Sequence, residues 1–392
     1  MFKAAVGHGI DPDEIGAITE ALEQCQQILD NDTPQAGILL AAVDFDHAVI
    51  LKHIRDIYPE ITLVGGTSVG EMSSTMGFQQ DSLTLMLFSS DEVTFRAGYG
   101  SNVSADTTAA ATAAIEQALA DSGQTVKDMK LCYSLCEALK VDGAALVSDL
   151  RVATKQQVPI FGGLTADDYQ FAHTYQFFND EVLEDTVVVL VFFGELKVSF
   201  GVATGQKPTG PKATITKSES YTVHEIDHQP ARNFYAPYFG KEEVRVARSG
   251  AFTGPLAVYE PGEINFYVRA PNGGSKEDGS VSYFGNVPEG STVQITDTDR
   301  ESLVQSAQDA FSKAKFAYPG KEPCAVIMTS CVSRMKNLGT QVNKEHEVVE
   351  AIAGTNLPNI GFYAYGEISP FSETSATYFH NETFTALLIG TR

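Results

Sequence analysis

Basic residues are scarce in this chain: 27 Lys and Arg stand against 50 Asp and Glu, a formal net charge of −23. That imbalance argues against nucleic acid or an anionic membrane as partner, because phosphates are met by clustered Lys and Arg. Long apolar runs are missing as well. Val187 to Phe193 is the longest candidate, and it is strand-sized against the roughly 18 residues of a membrane span. The opening MFKAAVGHGIDPDE has no basic n-region and no long apolar segment, so no signal peptide is expected. Cysteine is sparse and odd in number: Cys25, Cys132, Cys136, Cys324 and Cys331. Without a secretion signal these read as reduced thiols of a cytoplasmic protein. Cys132 and Cys136 share one face of the apolar strand KLCYSLCE. An extended chain holds them about 13 Å apart, too far to share a metal, so they read as core.

What the chain does have is size, apolar content and a repeat. Its 392 residues accommodate two or three domains, and 43% hydrophobic content supports a large core. Residues 61–101 contain an apolar strand, Gly65-Gly66, the acid Glu71 and two long β-rich runs. Residues 158–205 repeat that order around Gly162-Gly163 and Asp167-Asp168, with extra residues before the long strands. A looser third copy, residues 359–390, carries Gly366-Glu367. Each copy follows an amphipathic helix, and internal repeats of this kind dominate a fold.

Helices are predicted from Asp11-Pro12 to about Leu29, with Asp11 as N-cap, and over Asp46–Tyr58, Ala105–Ser122, Gly143–Ala153, Ala231–Phe239, Asp299–Phe316 and Lys344–Ala353. Long strands joined by tight turns predict antiparallel pairing, and helical crossovers predict some parallel pairing. The expected fold is α/β, with mixed, largely antiparallel sheets and flanking helices, internally repeated. Two regions are expected, 1–220 and 221–392, with the Gly/Pro-rich stretch 205–220 as their boundary.

Few motifs carry chemistry. His224-Glu225-Ile226-Asp227-His228 matches H-E-x-x-H, which binds zinc only on a helix. Its β-branched lead-in and Pro230 predict a strand and turn instead. Gly65 to Gly70 lacks the Gly-Lys-Ser/Thr ending of a phosphate loop, so its glycines read as a tight turn or as backbone open to a ligand. Glu71, Asp167, Asp168 and Glu367 are the acids of the three turns. They are either solvated turn carboxylates or ligand contacts for an amine, hydroxyl or cation, and paired carboxylates also serve acid–base work. No nucleophile with a nearby His supports a hydrolase. His380, flanked by Tyr378 and Phe379, is a core histidine or an axial haem ligand. Covalent haem attachment is excluded by the lack of C-x-x-C-H.

The runs Gly65-Gly66…Gly70-Glu71, Phe161-Gly162-Gly163-Leu164-Thr165-Ala166-Asp167-Asp168 and Gly361-Phe362-Tyr363-Ala364-Tyr365-Gly366-Glu367-Ile368 resemble the FIST proteins, as do Pro230-Ala231, Tyr235 and Gly240. The resemblance covers nearly the whole chain, as an N-terminal and a C-terminal FIST region. It implies a bacterial or archaeal sensory module in signal transduction that binds a small ligand, with amino acids proposed, and that has no enzymatic activity. It also resembles the NosP-like haem sensors of nitric oxide, which implies haem b on His380 and a separate partner, a histidine kinase of a two-component system or a cyclic-di-GMP enzyme. Ligand-binding positions implied are Gly65, Gly66, Glu71, Gly163, Asp167, Asp168, Gly366 and Glu367, with the ligand between the two regions. An amino-acid or amine module without haem, and a hydrolase using paired carboxylates, stay open as alternatives.

Overall fold

The computed structural model describes residues 2–239, 254–262, 265–354 and 356–392. Gly240, one of the positions carrying the resemblance, lies outside the described residues.

Three six-stranded sheets form the body. The first runs Phe2–Gly9, Leu83–Ser90, Ala36–Ala42, Thr62–Ser68, Gln176–Phe178, Glu181–Leu183. The second runs Val93–Ser101, Thr186–Gly194, Met129–Cys136, Ile160–Leu164, Gly366–Pro370, Thr377–His380. The third runs Lys197–Ala203, Phe384–Gly390, Ala325–Cys331, Asn359–Ala364, Glu71–Ser73, Gly77–Gln79. Each sheet is therefore one four-stranded unit plus a hairpin from another unit. The first unit's hairpin joins the third sheet, the second unit's joins the first, and the third unit's joins the second. Only the middle pair of each six-stranded sheet is parallel, for example Ala36–Ala42 with Thr62–Ser68. The remaining ladders are antiparallel, as the sequence predicts.

Alternation along the strands sets the two faces of each sheet. One face of all three sheets meets in a shared core containing Phe88, Tyr133, Phe161, Phe192, Phe362 and Leu387. The other faces are covered by helix pairs: Glu14–Leu29 with His47–Ile57, Thr107–Leu119 with Gly143–Ala153, and Arg300–Ala317 with Asn343–Ala353. The first helix of each pair lies very close to its edge strand. A Cβ at Gly7, Gly98 or Gly201 would stand 1.9, 2.1 or 1.8 Å from the carbonyl oxygen of Ala21, Ala114 or Ala310. Small residues on both partners explain the Ala-rich helices and the recurrent strand glycines.

A fourth, antiparallel sheet is inserted between Lys197–Ala203 and Arg300–Ala317, and includes Lys207–Glu219, Thr222–Ile226, Leu256–Tyr259, Val281–Tyr283 and Thr292–Asp297. It has its own core of Ile215, Val223, Tyr235, Leu256, Tyr283 and Val293. Buried Arg269 ties it to the body, its Nη1 donating to the Phe379 carbonyl at 3.1 Å.

Two local expectations are corrected. The stretch 205–220 is mostly the strand Lys207–Glu219 rather than a loop; Pro208 keeps the ladder opposite Thr296, and Gly210-Pro211 sit at a register shift between Thr209 and Ala213. A bulge accommodates proline and glycine that a regular ladder would not. The division at 220/221 falls in the turn between this strand and its partner Thr222–Ile226. The first helix is capped by Asp13, whose side chain accepts from Gly16 N at 3.0 Å, while Asp11 caps the turn before it by accepting from Asp13 N at 2.9 Å. His224 lies in the strand Thr222–Ile226, as predicted. Among the described residues no helix is long and apolar enough to cross a membrane.

Candidate functional site

The predicted glycines lie within strands rather than on open turns. Gly65 and Gly66 belong to Thr62–Ser68, Gly163 to Ile160–Leu164, and Gly366 opens Gly366–Pro370. A Cβ would meet Leu39 O at 2.2 Å from Gly65, Thr165 Cγ2 at 2.4 Å from Gly66, Thr329 Cγ2 at 2.9 Å from Gly163 and Phe379 Cε2 at 2.4 Å from Gly366. Their local role is close packing.

The four acids separate. Glu71 and Glu367 are fully buried strand residues in different sheets. Asp167, also buried, anchors a loop by accepting from the backbone N–H of Phe171, Ala172 and His173 at 3.0, 2.6 and 3.0 Å and from Tyr365 Oη at 2.6 Å. Asp168 is exposed with φ 50°, and partial burial with Asp81 and Asp44 raises its pKa. Asp44 and Asp81 line a separate cleft of about 320 Å³ with Glu14.

Glu71 and Glu367 nevertheless occupy equivalent places, and a third equivalent was not legible from sequence. Glu71 pairs with Phe362, Glu367 with Gly163 and Gln176 with Gly66, each where an incoming hairpin meets its host sheet. Each also bonds to the residue at the start of its own unit's next long strand. Ser82 Oγ donates to Glu71, Thr383 N and Oγ1 donate to Glu367 at 3.0 and 2.7 Å, and Thr186 N donates to Gln176 at 3.2 Å. The extra residues of the second copy hide Gln176 from a search at fixed spacing. Burial is the main cause pushing Glu71 up to about 7 and Glu367 up to about 8, against the lowering effect of these bonds. Neighbouring Glu382 pushes Glu367 further.

His380 pairs with Glu367 and is 1% exposed. Its Nε2 lies 2.9 Å from the Ser369 carbonyl, so that nitrogen carries the proton. Nδ1 is left without a hydrogen-bond partner, the ring packs edge-on to Phe371 at 4.9 Å, and burial lowers the pKa to about 4. As placed, His380 does not fit an axial haem ligand: Nε2 is engaged and the ring is enclosed by its own hairpin. Neither cleft described here is lined by it.

The larger cleft, about 860 Å³, opens where the inserted sheet meets the body. That is the volume of a small-molecule site. The body contributes Tyr169, Phe171 and Tyr365, and the inserted sheet and its approaches contribute Tyr221, Tyr283 and Phe284. Phe171 stacks on Tyr365 at 4.9 Å and 8°. Tyr365 is fixed by Asp167, and Tyr169 by donating to the Val332 carbonyl at 2.8 Å. Lys140 and Asp142 supply opposite charges at the rim. Asp142 caps the helix Gly143–Ala153 and accepts from Ser220 Oγ at 3.1 Å, a link across the cleft's two sides. Such a lining takes a flat or apolar ligand body and can hold a cation over a ring face. Sequence reasoning reached Asp167 and the neighbours of Tyr169 and Tyr365, but not the aromatics themselves, which look like core. Among the described residues no cluster of three or more His, Cys, Asp or Glu is placed to hold a metal ion.

Comparison with known proteins returns two family descriptions: the FIST N domain matches residues 35–229 and the FIST C domain matches residues 231–370. An uncharacterized protein of Methanocaldococcus jannaschii is 27% identical over 174 residues, which span 40% of this chain and 33% of that relative. Among solved structures, a cyanuric acid hydrolase aligns over 100% of both chains at 9% identity with a TM-score of 0.40. The cyanuric acid hydrolase of A. caulinodans aligns over 100% of both chains at 10% identity with a TM-score of 0.38. PurLQS from Thermotoga maritima aligns at 11% identity over 99% of this chain and 72% of that one, with a TM-score of 0.23. Likenesses of that strength carry no functional assignment.

Proposed function

The chain belongs to the FIST family, whose domains are sensory ligand-binding modules, and on that premise we propose that it binds a small organic ligand in the aromatic cleft and signals without catalysing a reaction. The observation that carries this reading is the composition of the cleft: its walls come from both FIST regions, with Tyr169, Phe171 and Tyr221 from the first and Phe284 and Tyr365 from the second. A ligand there touches the body and the inserted sheet at once. Its binding free energy then depends on how the two are arranged, which is the requirement for a ligand to shift a conformational equilibrium. Amino acids and amines are the ligand class we favour, since Lys140 and Asp142 offer both charges beside apolar walls. The output passes to a separate partner, of which a histidine kinase or a cyclic-di-GMP enzyme is the kind the family resemblance implies.

The test is a thermal-shift screen of amino acids and amines on the wild-type protein, Phe171→Ala and Tyr221→Ala. Tyr221 is 44% exposed, so its truncation leaves the cores intact. A ligand at 100 times its Kd stabilises by about 2.7 kcal/mol. The expected result is a shift in the wild type that needs at least about tenfold more ligand in both variants, equal to about 1.4 kcal/mol. A shift unaltered by either substitution would move the site elsewhere. Haem belongs in the same screen with His380→Ala alongside. The expected outcome is no Soret band that depends on His380, and a sharp band lost in that variant would replace the cleft reading with a haem one.

A further inference from the structure

We propose, resting on the cleft reading above, that residues 165–175 are a loop added to the repeat to read a ring-bearing amine, and that Asp167 is the positioning residue that shapes this loop rather than a ligand contact.

Comparison of the three units exposes the addition. In the first, Val69-Gly70 joins the strand Thr62–Ser68 to the hairpin strand Glu71–Ser73. In the third, Tyr365 alone joins Asn359–Ala364 to Gly366–Pro370. In the second, residues 165–175 stand between Ile160–Leu164 and Gln176–Phe178. The sheets therefore close without such a loop. Both its ends are pinned to Thr67, whose carbonyl accepts from Ala166 N at 2.9 Å and whose N–H donates to the Tyr175 carbonyl at 3.0 Å. A surface loop with its ends held together and its own side chains packed inside is a common carrier of function. Here Tyr169, Gln170 and Phe171 line the cleft, as does Tyr365 from the equivalent connection of the third unit.

The path of the loop is one that it would not keep unaided. Asp168, Tyr169 and Phe171 have φ of 50°, 59° and 50°, a region that bulky side chains rarely adopt. Asp167, 1% exposed, imposes it. Its Oδ1 accepts from Phe171 N at 3.0 Å and Tyr365 Oη at 2.6 Å, and its Oδ2 from Ala172 N at 2.6 Å and His173 N at 3.0 Å. The backbone folds back onto the carboxylate, and Phe171 is brought flat against Tyr365. Asp167 itself is not among the cleft's lining residues. An amide cannot replace this carboxylate, because it offers one accepting oxygen and one donating nitrogen. Whichever way Asn turned, at least one of the three backbone N–H groups would face a donor.

The rings favour a flat ligand body. The Asp142 carboxylate at the rim and the net charge of −23 favour a cation. Tryptamine combines both and is a usable probe, since the chain has no Trp. Indole fluorescence excited beyond tyrosine absorption then reports the probe alone.

The test is tryptamine anisotropy on the wild type, Asp167→Asn, Tyr365→Phe and Tyr221→Ala, with hydrogen exchange read by mass spectrometry on the same proteins. Asp167→Asn should fold, lose about tenfold of the protection at 171–173 while the sheets keep theirs, and bind at least about tenfold more weakly. Tyr365→Phe keeps the ring and the three backbone bonds, so its loss should be smaller. Tyr221→Ala should weaken binding with the loop's protection unchanged. Unchanged protection at 171–173 in Asp167→Asn, or wild-type affinity in that variant while Tyr221→Ala binds weakly, would overturn this proposal and leave the cleft reading standing. So would an Asp167→Asn variant that fails to fold, because a loop outside the repeat is dispensable to the body. A wild type that does not bind tryptamine, or binding indifferent to Tyr221→Ala, would remove the aromatic-amine cleft and this proposal with it.

Discussion

Glu345 and Arg334 form an ion pair with no solvent exposure on either side chain. Arg334 reaches Glu345 Oε1 through Nε at 2.9 Å and Nη2 at 2.5 Å. Its other donors go to the Thr204 carbonyl at 2.7 Å, Ser306 Oγ at 3.0 Å and the Leu303 carbonyl at 2.9 Å. Ser330 Oγ and Tyr363 Oη satisfy Glu345 Oε2 at 2.8 and 2.7 Å. Replacing Glu345 by Ala leaves a buried guanidinium uncompensated, and about 3–5 kcal/mol of stability should be lost. Urea unfolding reads this directly, and a loss under about 1 kcal/mol would mean that the pair is solvated in solution. Neither residue stood out in the sequence. One Glu among several on an amphipathic helix and an Arg beside a Lys after a strand read as solvated charges, and most of the other groups that bond them come from distant segments. Glu71, Glu367 and Asp167 were legible as special because they recur beside glycines, but their burial was not: turn acids are usually wet.

At the scale of elements, the helices Gly143–Ala153 and Ala231–Phe239 stand where the sequence predicts them, and the structure adds Asp142 as the cap of the first. The strand Lys207–Glu219 was hidden because Pro and Gly density marks loops far more often than bulged strands. The close seating of helices on edge strands gives a sharp expectation. At Gly98 a Cβ would stand 2.1 Å from Ala114 O and 2.7 Å from Ala118 N, both backbone atoms that cannot swing aside. Gly98→Ala should cost about 1–3 kcal/mol, the usual range for overpacking. The denaturation midpoint measures it, and an unchanged midpoint would show that the helix Thr107–Leu119 shifts freely.

Across the whole molecule, the repeat was readable but the exchange of hairpins was not, because pairing such as Glu71 with Phe362 leaves no local pattern. The two regions proposed at 220/221 are consequently interlocked. Strand Lys197–Ala203 pairs with Phe384–Gly390, and the hairpin of 71–79 pairs with Asn359–Ala364. Residues 1–220 and 221–392, expressed separately, should each unfold without a cooperative transition, and co-expressed they should purify as one complex. A cooperative transition in the isolated first fragment would show that its share of the third sheet is dispensable.

The ring of exchanged hairpins also sets how the protein answers to force. No unit can be drawn away without withdrawing its own hairpin from one neighbour and another neighbour's hairpin from itself. Pulled at its ends, the chain behaves less like three beads on a string than like a splice of three strands, tightening as a whole and failing in one event.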